Sequence, residues 1–179
     1  MVQDGITIAF RSAAPGGAGQ AKRLSLFVLV LSLAVIGGAL FFQYARGLVP
    51  CELCLAERWP WYAAIPLGAI GLAWTPRRWP RGVALLFGLV FLGSAALAFY
   101  HVGVEKHFLP GPTACTAAAL GGGSIEDMTR ALLETPEVLC DEVQWSLFGI
   151  SLAGFNLILS LIAVAAALRN WLALGSERA

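Results

Sequence analysis

Long apolar stretches alternate with short polar segments along this chain. Four stretches contain no Asp, Glu, Lys or Arg: Leu24–Ala45, Trp59–Pro76, Gly82–Val104 and Val143–Leu168. Each reaches about the 18–20 apolar residues that a helix needs to cross a bilayer. Backbone polar groups cannot stay unpaired in lipid, so each stretch is expected to be helical. The pattern therefore predicts four spans, which cover about residues 24–42, 51–74, 83–102 and 145–168.

These spans predict an all-α, polytopic membrane protein with one four-helix transmembrane domain, residues 22–170. Its loops on the outer side are expected at about residues 43–50 and 103–144, with tails at 1–21 and 171–179. The first tail is expected to be flexible because it contains Pro15-Gly16-Gly17 and little periodicity. In the long loop, Ser124 and Asp127 resemble a capping box. They predict a short helix on the membrane surface or on the end of the bundle.

Composition and charge support a membrane protein and give it an orientation. The chain is 58% hydrophobic and 13% charged, against about 25% charged in soluble domains. A net charge of +1 without a basic patch gives no indication of a nucleic-acid partner. Basic residues favour the side shared by the termini and the middle loop, which is therefore expected to be cytoplasmic. They are Lys22, Arg23, Arg77, Arg78, Arg81 and Arg169, against Arg46, Arg58 and Lys106 opposite.

The chain has four cysteines, and the first two are closely spaced. Cys51 and Cys54 follow Pro50 at the start of the second predicted span, on the outer side where disulfides persist. A helix start favours the thiolate, which is the nucleophile in disulfide exchange. This position favours redox chemistry. Half of a zinc site, a structural staple and plain core residues remain open alternatives.

Cys115 and Cys140 lie in the long outer loop. A bridge between them would close a loop of about 25 residues, for which chain entropy predicts roughly 3 kcal/mol of stabilisation. By itself that favours a structural disulfide. The presence of a second pair on the same side makes disulfide exchange between the two pairs the competing interpretation.

Two further side chains are candidates for chemistry at the outer end. Arg58 shares a helical stripe with Cys51 and Cys54 and could stabilise a thiolate or the oxyanion of a reduced quinone. Snorkelling to the interface, paired with Glu57, is the alternative. His101 ends the third span and could give a proton or a hydrogen bond to a quinone oxygen. An ordinary interfacial histidine is the alternative.

Four segments resemble the DsbB family of bacterial disulfide bond formation proteins. They are Cys51-Glu-Leu-Cys-Leu-Ala-Glu-Arg58, Tyr100-His101-x-Gly103-Val104-Glu105, and the segments around the later cysteines, Gly111-Pro112-Thr113-x-Cys115 and Cys140-Asp141-Glu142-Val143-x-Trp145. The resemblance covers about residues 24–170. It implies an inner-membrane enzyme with both termini cytoplasmic, its cysteines periplasmic, and a ubiquinone or menaquinone as cofactor.

The resemblance also implies a partner and a route for electrons. The partner is a periplasmic thioredoxin-like protein of the DsbA type, which attacks Cys115 of a Cys115–Cys140 disulfide. Cys140 then exchanges with Cys51, and Cys54 interacts with the quinone. Arg58, and more distantly His101, would lie beside that quinone.

Three other functions are compatible with parts of the pattern. An enzyme of the vitamin K epoxide reductase type also has a four-helix core and a Cys-x-x-Cys, although near its last helix rather than its second. A membrane scaffold with two structural disulfides predicts inert cysteines. A metal-binding membrane protein predicts free thiols and stoichiometric zinc.

Overall fold

A computed structural model describes residues 17–74, 80–112 and 139–176. Cys115 and the helix predicted after Ser124 lie outside these residues. The described elements are α1 (Gly17–Leu40), α2 (Glu52–Ala56), α3 (Arg58–Ala73), α4 (Pro80–Glu105), β1 (Ser146–Leu147), β2 (Ile150–Ser151) and α5 (Leu152–Ser176).

Within the described ranges, three helices are long and apolar enough to cross a membrane. They are α1 with the π-helical turn Phe41–Ala45 that continues it, α4, and α5. These helices confirm the prediction of a helical, multi-pass membrane protein.

The second predicted span is divided into α2 and α3 at Glu57. Proline explains the division: Pro60 has no N–H for the carbonyl of Ala56, and its ring would clash with that carbonyl. The 16 residues of α3 extend about 24 Å at 1.5 Å per residue, less than the roughly 30 Å of a hydrocarbon core. The count of four spans therefore stays a prediction.

The fourth predicted span begins later than the apolar pattern indicates. Residues 146–151 form a small hairpin in which Ser146 pairs with Ser151 and Leu147 with Ile150. Its two-residue turn, Phe148-Gly149, has positive φ at both positions (52° and 79°), as a type I′ turn requires. Ser151 then accepts from the Gly154 amide at 3.1 Å, so α5 starts at Leu152 with a side-chain cap.

The first helix also departs from its predicted bounds. It begins at Gly17, so the end of the predicted 1–21 tail is helical. At its other end the π-helical turn is followed by Gly47, at a φ of 69°, which only glycine adopts at low cost. This turn redirects the chain toward Cys51.

Two helix pairs form the bundle, because α4 packs mainly on α5 and α1 mainly on α3. Trp61 and Phe91 are buried at its centre, with ring centroids 4.8 Å apart. Where α1 meets α3, a Cβ on Gly68 would lie 3.0 Å from the Leu29 Cβ. The absence of a side chain at Gly68 therefore lets these two helices approach closely.

Candidate functional site: a buried dithiol beside an apolar cavity

The first cysteine caps the short helix that carries the second. Cys51 is the N-cap of α2, and its sulfur accepts from the Cys54 amide at 3.2 Å. The preceding Pro50 has φ fixed near −65°, which restricts the chain just before the cap. The structure thus confirms that the Cys-x-x-Cys lies at a helix start.

The two sulfurs are close enough to react with each other. Both are thiols in this structure, with their Sγ atoms 2.9 Å apart. They differ in access, since Cys51 is buried at 4% exposure and Cys54 is half-buried. The pair can therefore close to a disulfide with a small movement, and its two members face different surroundings.

A histidine and a carboxylate continue from Cys51 into the bundle. The Cys51 Sγ lies 3.7 Å from His101 Nε2, and His101 Nδ1 lies 2.8 Å from Glu57 Oε1. Both side chains are buried, at 2% and 6% exposure. An ionised carboxylate can only accept a hydrogen bond. With Glu57 ionised, Nδ1 therefore carries a proton, and Nε2 is the nitrogen that faces the thiol.

Two more side chains fix the position of Glu57 through its second carboxylate oxygen, one directly and one indirectly. Asn156 Nδ2 on α5 donates to Glu57 Oε2 at 2.7 Å. Trp61 Nε1 on α3 donates to Asn156 Oδ1, also at 2.7 Å. The Trp61 donor fixes which way the Asn156 amide points, and the amide in turn fixes the carboxylate. Residues from α3, α4 and α5 thus meet in one hydrogen-bonded network.

A cavity of about 500 Å³ opens next to this network, between α1, α3 and α5. Most of its wall is apolar, including Leu31, Phe42 and Leu159, and Trp145 lies in it with its ring 4.8 Å from that of Phe42. The polar or reactive groups in the wall include Cys54, Glu57, Arg58, Gln43, Gln144 and Asn156. A mostly apolar cavity with a few convergent polar groups is typical of a small-molecule site.

Arg58 is held at this wall by Gln43, which lies in the π-helical turn after α1, and not by Glu57. Its Nη1 donates to Gln43 Oε1 at 2.7 Å. Among the described residues, the Glu57 carboxylate contacts His101, 2.8 Å from its Nδ1, and not Arg58. The predicted stripe of Cys51, Cys54 and Arg58 is therefore divided: Cys54 and Arg58 line the cavity, and Cys51 does not.

Of the later cysteine pair, the structure describes Cys140, and Cys115 lies outside the described residues. Cys140 is buried at 1% exposure. It packs in one cluster with Cys51, Leu53 and Val104. The fold thus brings a cysteine of the second pair to the buried side of the first.

Sequence reasoning placed His101 near a quinone. The structure places it against Cys51 and Glu57, one side chain behind the cavity wall, so its quinone contact stays a prediction. Sequence reasoning missed Gln43 and Asn156 as members of the site. Single polar residues in apolar helices were the available signal, because an amide in a membrane span is costly unless it has a partner.

The sulfurs of Cys51 and Cys54 and the His101 nitrogen lie within 4.8 Å of one another, a grouping that could also hold a metal ion. The structure thus adds a histidine to the two cysteines of the zinc alternative.

Fold and site together define a helical membrane protein with a reactive dithiol in contact with an apolar cavity. The chain belongs to the DsbB family, because residues 21–169 match the family model described as "Disulfide bond formation protein DsbB". It is therefore a membrane oxidoreductase of disulfide bond formation.

Individual relatives agree with this assignment. Disulfide bond formation protein B of Hahella chejuensis is 32% identical over 151 residues, 76% of this chain and 86% of that protein. Disulfide bond formation protein B 1 of Pseudomonas fluorescens is 33% identical over 86 residues, 48% of this chain and 51% of that protein. "Uncharacterized protein RP370" of Rickettsia prowazekii is 25% identical over 142 residues, 78% of this chain and 81% of that protein. No solved structure is a significant match.

Proposed function

We propose that this protein is a thiol:quinone oxidoreductase that re-oxidises a periplasmic thioredoxin-like protein of the DsbA type. The observation that carries the proposal is the shared cavity wall of Cys54 and Arg58. A thiol and a cation held by Gln43 line the same mostly apolar cavity, on a chain that belongs to a family of disulfide bond formation.

The cavity suits a quinone on its own chemistry. Its apolar wall fits a lipid-soluble ring, and its volume of about 500 Å³ lies within the usual 300–1,000 Å³ for small-molecule sites. Arg58 and Gln43 would hold the polar oxygens, and Trp145 the ring face. When bound, a quinone accepts two electrons and two protons.

The two cysteines of the first pair would have different roles: Cys51 in exchange with the second pair, and Cys54 at the cavity. Cys51 lies in the buried cluster with Cys140, which supports exchange between the two cysteine pairs. Cys54 lies at the cavity, where its thiolate would be stabilised by the Arg58 cation. Electrons would thus enter at Cys51 and leave at Cys54, with Cys115 as the contact for the soluble partner.

The orientation follows from the basic residues near the helix ends. In this proposal both termini are cytoplasmic and all four cysteines face the periplasmic side of a bacterial inner membrane. The bundle has four spans, with α2 and α3 together as the second, in a domain that covers residues 22–170.

Reduction of ubiquinone by the purified protein tests the proposal, with a reduced DsbA-type protein as electron donor and menaquinone in parallel. We expect turnover in the unmodified protein and its loss in both Cys54→Ser and Cys115→Ser. Cys115→Ser should still accept electrons from a small dithiol if that reagent can reach the first pair.

Other results would favour the alternatives. Four cysteines that stay oxidised and inert with either quinone would favour a stapled scaffold. Stoichiometric zinc, lost in Cys54→Ser, would favour a metal site. Activity that is independent of Cys115 and Cys140 would exclude the proposed route.

A further inference from the structure

The two thiols of the first pair have unequal routes for their protons. Oxidation to a disulfide removes one proton from each thiol. Cys54 lines the cavity, so its proton can pass directly to a molecule bound there. Cys51 is buried and lies outside the cavity wall. Its nearest neighbour is the Cys54 Sγ at 2.9 Å, but that sulfur is the atom with which Cys51 must bond, so the Cys51 proton needs another path.

Two buried side chains connect Cys51 to the cavity. His101 Nε2 faces the thiol at 3.7 Å, and His101 Nδ1 donates to Glu57 Oε1 at 2.8 Å. Glu57 belongs to the cavity wall, whereas His101 does not. An acceptor nitrogen, a ring proton and a carboxylate therefore follow one another from the thiol to the cavity.

The network around Glu57 keeps this order fixed. Asn156 donates to the second carboxylate oxygen at 2.7 Å, and Trp61 orients Asn156 at 2.7 Å. Burial of an ionisable pair is costly and does not by itself stabilise a fold. A function that needs a base and an acid between the thiol and the cavity would explain why His101 and Glu57 are buried together.

We propose that Cys51, His101 and Glu57 form a proton relay that carries the Cys51 thiol proton into the cavity. As the Cys51–Cys54 bond forms, the Cys51 S–H bond breaks and its proton moves to His101 Nε2. The Nδ1 proton moves to Glu57, and Glu57 releases it at the cavity wall. A turn of the imidazole ring then restores the starting tautomer.

The step is balanced and rests on the proposed function. Two thiols lose two electrons and two protons, one proton directly from Cys54 and one through the relay. Both electrons and both protons pass to the quinone that the proposed function supplies. His101 thereby acts on Cys51 as a catalytic base.

Single-turnover kinetics with Glu57→Gln test the relay. Glutamine keeps an oxygen that can accept from His101 Nδ1, but it cannot take the proton. We expect the rate of quinone reduction to fall about 100-fold, within the range for loss of a general acid–base group. Disulfide exchange with the donor, followed without quinone by acid quenching and alkylation, should fall by much less, because Glu57→Gln leaves all four cysteines in place.

Two further variants separate chemistry from structure. His101→Ala should lose quinone reduction to a similar extent and recover part of it with added imidazole, which a purely structural role would not allow. Glu142→Gln removes an exposed carboxylate near Cys140 and serves as the control. Unchanged quinone reduction in either Glu57→Gln or His101→Ala, or an equal loss of exchange and quinone reduction, would overturn the relay.

A spectroscopic measurement tests the starting state without any quinone. The chain has two histidines, so ¹⁵N-histidine NMR gives two rings, and His107→Gln assigns them. We expect a neutral His101 ring in the dithiol form, with its proton on Nδ1 and none on Nε2. A proton on Nε2, in a neutral or a doubly protonated ring, would overturn the relay.

Failure of the relay is distinguishable from failure of the proposed function. If the unmodified protein reduces no quinone with any dithiol, the proposed function fails and the relay fails with it. If it reduces quinone and Glu57→Gln does so equally fast, only the relay fails.

Discussion

At the scale of single residues, the shape of Arg58 matters as much as its charge. Its guanidinium gives one N–H to Gln43 at 2.7 Å and still belongs to the cavity wall. Lysine keeps the charge but has no planar fork of N–H groups with which to bind Gln43 and a quinone oxygen at the same time. We expect Arg58→Lys to raise the KM for quinone about 10-fold, the equivalent of about 1.4 kcal/mol. Steady-state kinetics over a quinone series would measure this.

The matched control is Arg46→Lys, an exposed arginine on the same segment as Gln43. It should leave the KM within two-fold of the original, on the order of 0.4 kcal/mol. An equal KM for Arg58→Lys and the unmodified protein would show that charge alone is sufficient at this wall.

Single residues also show what the sequence could and could not predict about the site. Cys51 and Cys54 could be placed at a helix start because neighbouring residues determine that geometry. The partners of Glu57 could not be predicted, because His101 and Asn156 come from helices that are distant in the chain. Spacing along one helix carries no information on which other helix supplies a hydrogen bond.

At the scale of elements, the contact between α1 and α3 depends on the missing side chain of Gly68. A Cβ there would lie 3.1 Å from the Ser25 carbonyl oxygen and 3.0 Å from the Leu29 Cβ. A larger residue must push the helices apart, and overpacking typically costs 1–3 kcal/mol. We expect Gly68→Val to lower the free energy of unfolding by about 2 kcal/mol, measured by denaturation in detergent micelles.

The control for this element is Gly93→Ala in α4. Nothing lies within 4 Å of a Cβ at Gly93, and alanine is the better helix former by about 1 kcal/mol. Its stability should be unchanged or slightly raised. A loss at Gly93 as large as that at Gly68 would mean that glycine matters for backbone flexibility and not for close packing.

Element boundaries were less predictable than the elements themselves. Apolar runs indicated helices at α1, α4 and α5, and the structure has helices there. The run that starts near Val143 gave no sign of a hairpin, because Phe148 adopts a positive φ that its residue type disfavours. The division at Glu57 was also missed, although Pro60 supplied the signal.

At the scale of the whole molecule, the number of spans determines which side holds each end. Three described helices can cross by length, and a crossing by α2 and α3 together would make four. With four spans, the charge pattern places both termini in the cytoplasm. We expect alkaline phosphatase fused after Gly111 to be active and the same fusion after Leu174 to be inactive.

The two fusions separate three spans from four. If α2 and α3 do not cross, the chain up to Gly111 crosses twice, and that fusion would be inactive while the one after Leu174 would be active. A fluorescent protein at the N-terminus, which folds in the cytoplasm, fixes the starting side in both cases.

Burial of the first thiol also has a kinetic consequence for the cell. Exchange requires one sulfur to reach another, so its rate depends on access. Cys51 and Cys140 are 4% and 1% exposed. Both belong to the same buried cluster. Small dissolved thiols therefore have no open path to Cys51. Cys51 is thereby shielded from the surrounding thiol pool, and the half-buried Cys54 is the member of the pair that a small reagent meets first.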